Sequence, residues 1–150
     1  MIRNPAKFHA WPPASFDGVF DWDFLKPAFL GTKIMPMDLD ATIERGGHFL
    51  GFETKEPGTP IPQGQAITLT KMWASGWTIM HIDGKTPETI QGLCIYWEGG
   101  YDLSSDEMVG SRPVAKCGAN FVVFQARRWF CRASGWPVPT WEEWTREFAA

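Results

Sequence analysis

Two acidic residues and a lysine can meet on one face of a short hairpin in this chain of 150 residues. Gly46-Gly47 separates two stretches that alternate apolar and polar residues, Met37 to Glu44 and His48 to Lys55. A glycine pair between such runs signals a two-residue turn, which needs left-handed backbone at both central positions. With that turn Arg45 faces His48, and pairing outward sets Asp40 opposite Glu53 and Asp38 opposite Lys55. Opposed residues share a face, with Cβ atoms about 5 Å apart. Asp38, Asp40, Glu53 and Lys55 are therefore expected on one face. Leu39, Ala41, Ile43, Leu50 and Phe52 are expected on the other, the core side, and Gly51 is expected to leave room on the acidic face.

Two carboxylates set opposite each other repel. A divalent cation offsets this, and Mg²⁺ commonly takes one or two carboxylates plus waters and substrate phosphate. The carbonyl of Thr54 offers a further oxygen, and Lys55 stands where an ammonium reaches a water or a phosphate oxygen. Such a set suffices for metal-assisted phosphodiester hydrolysis, in which the metal lowers the pKa of a water and the lysine neutralises developing charge. The same residues also read as an ordinary solvated sheet face, with Asp38 and Lys55 as a cross-strand ion pair.

The elements around the hairpin follow from local signals. Asn4 to Ser15, with Pro5, Pro12 and Pro13, reads as an irregular arm. Phe20 and Phe24 at helical spacing predict a short helix over Asp17 to Ala28, ended by Pro27. Pro57 to Gly64 reads as a loop, Gln65 to Ser75 as a helix ending at Gly76, and Trp77 to Ile82 and Leu93 to Trp97 as strands. Asn120 is expected to cap a helix from Phe121 to Ala133 closed by Gly135, and Trp141 to Phe148 reads as a last short helix. The order α, β-hairpin, α, β, β, α predicts one α/β domain, a mixed sheet flanked by helices.

The text Pro36-Met37-Asp38-Leu39-Asp40, followed by Phe49-Leu50-Gly51-Phe52-Glu53-Thr54-Lys55, resembles the PD-(D/E)XK nuclease superfamily, the restriction-endonuclease-like fold. The compact layout is similar to its small phage and prophage members. The resemblance spans Asp17 to about Ile82. It implies a core of order α-β-β-α-β, here with a further C-terminal strand and helices. It also implies a Mg²⁺- or Mn²⁺-dependent endonuclease acting on DNA. Asp40 then takes the aspartate role, Glu53 that of second metal ligand and Lys55 that of catalytic lysine. Some members carry a glutamine opening the helix after the lysine strand; Gln65 is similar to it, and Gln63 is a lesser candidate. Leu69 stands where members with that glutamine often have tyrosine. Met37 interrupts the Pro-Asp pair, which keeps Asp38 an alternative to Asp40. Asp17, Asp21 and Asp23 are candidates for an additional acid on the first helix. The alternative is an inactive nucleic-acid- or protein-binding module of the same fold, such as a phage accessory protein.

Composition bounds these readings. The chain is 44% apolar and 21% charged, as ordinary globular proteins are. It has no stretch of about 18 apolar residues that would span a membrane, and Met1 to Ala14 holds no apolar run suited to a signal peptide, so a cytoplasmic location is expected. Net charge is −3, yet segregated: Glu98 to Glu107 holds four acids, whereas Met108 to Trp141 holds none and carries Arg112, Lys116, Arg127, Arg128 and Arg132. Lys71, Arg127, Arg128 and Arg132 are candidates for contacting nucleic-acid phosphates. Nine Trp and eleven Phe fit an aromatic core or stacking on bases. His9, His48 and His81 stand apart from one another, although His48 flanks the turn. Cys94, Cys117 and Cys131 suit neither a disulfide framework nor a zinc site and are expected as reduced thiols. A homodimer is compatible with cutting two strands.

Overall fold

The computed structural model describes residues 23–34, 36–96, 107–109 and 112–148; for 96, 107–109 and 112–115 it describes the backbone alone. The expected arm, the start of the first helix, and Asp17 and Asp21 lie outside the described residues. The chain divides into two compact units, Met1–Met37 and Asp38–Ala150, each described by itself.

The described part of the first unit is a 3₁₀ helix, Asp23–Phe29. Pro27 lies inside it and does not end it. Each hydrogen bond of this tighter coil spans three residues, so the proline removes one donor from a short element. Lys26 Nζ pairs with Asp23 Oδ2 at 2.6 Å, both exposed.

In the second unit Gly46 and Gly47 adopt φ of 58° and 82°, and the Gly47 N–H donates to Glu44 Oε1 at 2.7 Å. This turn joins β1 (Ala41–Arg45) to β2 (His48–Lys55), paired antiparallel from Arg45–His48 to Ala41–Phe52. The register is the one the turn predicts. Helix α1 (Gln63–Ala74) then carries the chain to β3 (Thr78–Asp83), which runs parallel to β2 with Glu53 beside His81 and Lys55 beside Asp83. A second 3₁₀ turn, Pro87–Thr89, returns the chain to β4 (Gly92–Tyr96), antiparallel to β3. Two strands follow, β5 (Glu107–Val109) and β6 (Arg112–Lys116), and extend the sheet to the order β1-β2-β3-β4-β6-β5. The expectation of an α/β unit with a mixed sheet and flanking helices holds. The expected strand Leu93 to Trp97 is β4, whereas β5 and β6 were not anticipated, being only three and five residues long.

Alternation sorts the sheet into two faces. Leu50, Met80, Ile82, Leu93 and Ile95 pack against Val122 and Trp129 of α2 (Ala119–Ser134), with Phe52 beside them. The opposite face presents Glu53, Lys55, His81, Asp83 and Cys94 on the side of α1. Helix α2 starts one residue before the expected Asn120 cap: Gly118 holds the N-cap position and makes no side-chain cap. It ends as expected at Gly135, whose φ of 69° lets its N–H reach the Arg132 carbonyl. Helix α3 (Trp141–Phe148) opens on a capping box between Thr140 and Glu143. Phe121 and Phe124 of α2 meet Trp141 and Trp144 of α3 edge-on or tilted, so these rings serve the packing of the two helices. None of the described helices is long and apolar enough to cross a membrane.

Candidate active site

The cluster centres on one buried oxygen. β2 alternation turns Glu53 and Lys55 to the same face, and Lys55 Nζ sits 2.6 Å from Glu53 Oε1. Gln65, in the first turn of α1, donates from Nε2 to the same oxygen, also at 2.6 Å. Glu53 is 3% exposed, so its charge requires these two donors. The Oε1 of Gln65 is buried and has no hydrogen-bond partner. Helix α1 opens at Gln63, two residues before the expected start, yet Gln65, expected over Gln63, is the glutamine that reaches the Glu53–Lys55 pair. Leu69, one turn further along α1, is buried.

The far strand departs from expectation. β1 begins at Ala41, four residues after the expected start at Met37. The ladder stops because the Asp40 side chain takes its place: Asp40 Oδ2 accepts the Thr54 N–H at 2.7 Å and the Thr54 hydroxyl at 2.8 Å. With the alternation broken there, Leu39 is not on the core side with Leu50 and Phe52. It lies over Gly51, where a Cβ would meet Leu39 Cδ2 and Ile79 Cδ1 at 3.1 Å each. The room expected at Gly51 is therefore filled. The expected pairing of Asp40 with Glu53 is not formed, since the ladder ends at Ala41–Phe52 and the Asp40 carboxylate is engaged by Thr54. Asp38 precedes it and is exposed.

Partial burial pushes the Asp40 carboxyl up, but the two Thr54 hydrogen bonds and the positive charges of Lys85 and Lys55 together hold it below the ordinary aspartate value. A carboxyl lowered on folding contributes stability above its unfolded pKa and loses it as pH falls through the folded one. Carbon-13 NMR titration is expected to give Asp40 a midpoint below about 3.9, the unperturbed value. Asp40→Asn, which can still accept from Thr54, should unfold in acid with a shallower pH dependence. A midpoint at or above the unperturbed value would contradict this.

The parallel pairing of β2 with β3 adds groups that sequence reading set aside or missed. His81 is fully buried beside Glu53, with Nδ1 3.5 Å from Asp83 Oδ1, and Asp83 is the partner of Lys55 in the ladder. Nothing in the local sequence carries that signal, since the parallel register is set across a helix. Burial and the Asp83 carboxylate push the Cys117 thiol up to about 11, while Cys94 and Cys131 are buried. Cys117 should alkylate at pH 8 about a hundredfold more slowly than a free thiol, from its smaller thiolate fraction. Labelling at the free-thiol rate would show that neither burial nor Asp83 raises it.

Among the described residues no three His, Cys, Asp or Glu side chains gather as metal ligands. The donors present fit a cation that keeps water in its shell, not one caged by side chains. Asp40 Oδ1 and Glu53 Oε2 lie outside the bonds just described, and Gln65 Oε1, on the amide that donates to Glu53, is a buried acceptor without a partner. The carbonyl of a strand residue points to the same neighbour as its N–H. The Thr54 carbonyl therefore faces the edge where its N–H meets Asp40, beyond the last ladder pair.

The expected phosphate-contacting residues are not gathered here. Lys71 is exposed near the end of α1. Arg127, Arg128 and Arg132 belong to α2, in the layer behind the sheet. Arg127 lines an apolar groove of about 300 Å³ with Ile43, Trp129 and Trp144. The Arg128 guanidinium lies over Phe124 and donates to Gln125 Oε1 at 3.3 Å. The layer separation arises because α2 buries the apolar face of the sheet while the acidic face turns to α1. Comparison with protein-family models, curated proteins and solved structures gave no match.

Proposed function

We propose that the chain is a Mg²⁺- or Mn²⁺-dependent nuclease that hydrolyses phosphodiester bonds of DNA. The observation that carries this reading is the convergence of Lys55 and Gln65 on a single oxygen of buried Glu53, at 2.6 Å each. The Asp40 carboxyl, just ahead of β1, feels the charge of Lys55. The resemblance to the PD-(D/E)XK nucleases, which gives Glu53, Lys55 and Gln65 their roles, supports the reading.

In this reading Asp40 and Glu53 hold the cation with the Thr54 carbonyl, and Asp38 is the alternative acid. The cation, when bound, supplies a Lewis acid for the phosphate and a water of lowered pKa. Thr54 fixes the Asp40 rotamer through two hydrogen bonds. Gln65 orients Glu53. Lys55, 22% exposed along its side chain, has access to solvent, so its ammonium can donate to an attacking water and offset charge on the phosphate oxygens. The test is cleavage of single-stranded, double-stranded and branched DNA, and of RNA, with Mg²⁺ or Mn²⁺ and with chelator. Divalent-dependent cleavage supports the reading; none on any substrate overturns it.

A second reading, a binding module of the same fold without activity, is favoured by one observation: both carboxylates already have protein partners and no third ligand joins them among the described residues. Calorimetric titration separates the two, since the module takes up no Mn²⁺.

A further inference from the structure

We infer that Lys55 and Gln65 form a clasp that sets the cation affinity of Glu53, with the lysine opposing uptake and the glutamine able to assist it. The inference rests on the metal-dependent reading above and concerns how that site is regulated.

Glu53 Oε1 already accepts from the Lys55 ammonium and the Gln65 amide, both at 2.6 Å. A carboxylate that is 3% exposed and doubly bonded is neutralised before any cation arrives. A divalent ion sharing Glu53 would sit a few ångströms from a fixed positive charge in a poorly solvated place, where repulsion is weakly screened. Of the pair, only Lys55 has a route away. Its side chain is 22% exposed against 4% for Glu53, so the ammonium can swing toward water on its flexible stem while the carboxylate stays. Gln65 is neutral and has no such conflict. Its Oε1 is buried without a partner, a costly state for an acceptor. Rotation of the amide group would exchange the donor facing Glu53 for this oxygen, and a cation at Glu53 would satisfy it. In the cation-free protein the clasp is closed on Oε1; a cation held at the neighbouring Oε2 would repel the ammonium and favour its departure, which frees it to work on a water or phosphate.

The test measures Mn²⁺ binding by calorimetry on the whole chain, without substrate. Lys55→Met is expected to tighten binding about tenfold to a hundredfold, the equivalent of one charge-assisted hydrogen bond. Lys85→Met removes a cation that also acts on Asp40 but has no bond to Glu53, and should change binding less than threefold. Gln65→Ala should not tighten it. If Lys55→Met does not fold, Lys55→Gln, which retains a neutral donor, serves in its place with the same expected direction. Wild-type binding that Lys55→Met leaves unchanged or weakens overturns the clasp alone. Equal tightening by Lys55→Met and Lys85→Met also overturns it, by showing a general charge effect. Absence of Mn²⁺ binding in every variant overturns the clasp and the metal-dependent reading together.

Discussion

Lys55→Gln is expected to abolish divalent-dependent DNA cleavage, by about 10²–10³-fold or more, while leaving the protein folded. The magnitude is that of removing one preorganised donor from charge developing in a transition state. The choice of glutamine matters. Lys55 is one of two donors on a buried carboxylate. Removing one member of a buried pair leaves an uncompensated charge and costs about 3–5 kcal/mol when burial is complete. Lys55 is only partly buried, so alanine here would cost less than that range, yet enough to confuse loss of chemistry with loss of fold. Glutamine keeps a neutral donor for Glu53 and removes the charge. Circular dichroism melts alongside cleavage assays make the separation. A folded Lys55→Gln variant that cleaves at the wild-type rate would remove Lys55 from the chemistry. Glu53→Gln should match it in lost cleavage and also lose Mn²⁺ affinity, because it removes the charge of a ligand and not that of a neighbour.

Gly84→Ala should be among the most destabilising single substitutions, by about 4 kcal/mol in urea unfolding. Gly84 follows the last residue of β3 with φ of 153°, a region that side chains rarely enter. A Cβ there would meet Ile90 Cα at 2.7 Å, Ile90 N at 2.8 Å and the Thr89 carbonyl oxygen at 2.9 Å. These are backbone atoms of the 3₁₀ turn and the residue after it, so no side chain can rotate aside. Strained backbone contributes about 1–3 kcal/mol and overpacking a similar amount. The position is tied to the site: the Gly84 N–H donates to the Lys55 carbonyl at 2.7 Å, and the Gln91 N–H donates to the Asp83 carbonyl at 2.8 Å. Gly76→Ala is the control. Gly76 has φ of 93° but open space around a built Cβ, so its cost is that of left-handed backbone alone, about 1–2 kcal/mol. Equal losses at the two positions would show that the close approach to Ile90 relaxes freely.

Much of the candidate site was readable in the linear chain because its geometry is local. Gly46-Gly47 dictates a turn, the turn dictates the register, and a period of two places Glu53 and Lys55 on one face whatever else the molecule does. Gln65 was legible as a first-turn residue of the next helix, although that helix opens two residues earlier, at Gln63, and Gly135 was legible as the close of a later one. What depends on long-range packing was not legible. Asp40 turns to Thr54 and ends β1 early, and Leu39 leaves the core side for a seat over Gly51 against Ile79. His81 and Asp83 come beside Glu53 and Lys55 only through a parallel pairing across α1, which no local period encodes. The arginines of α2 fall behind the sheet because the apolar face claims that helix. Short-range backbone chemistry thus determined which residues share a strand face; burial, settled only when the layers close, decided which of them touch.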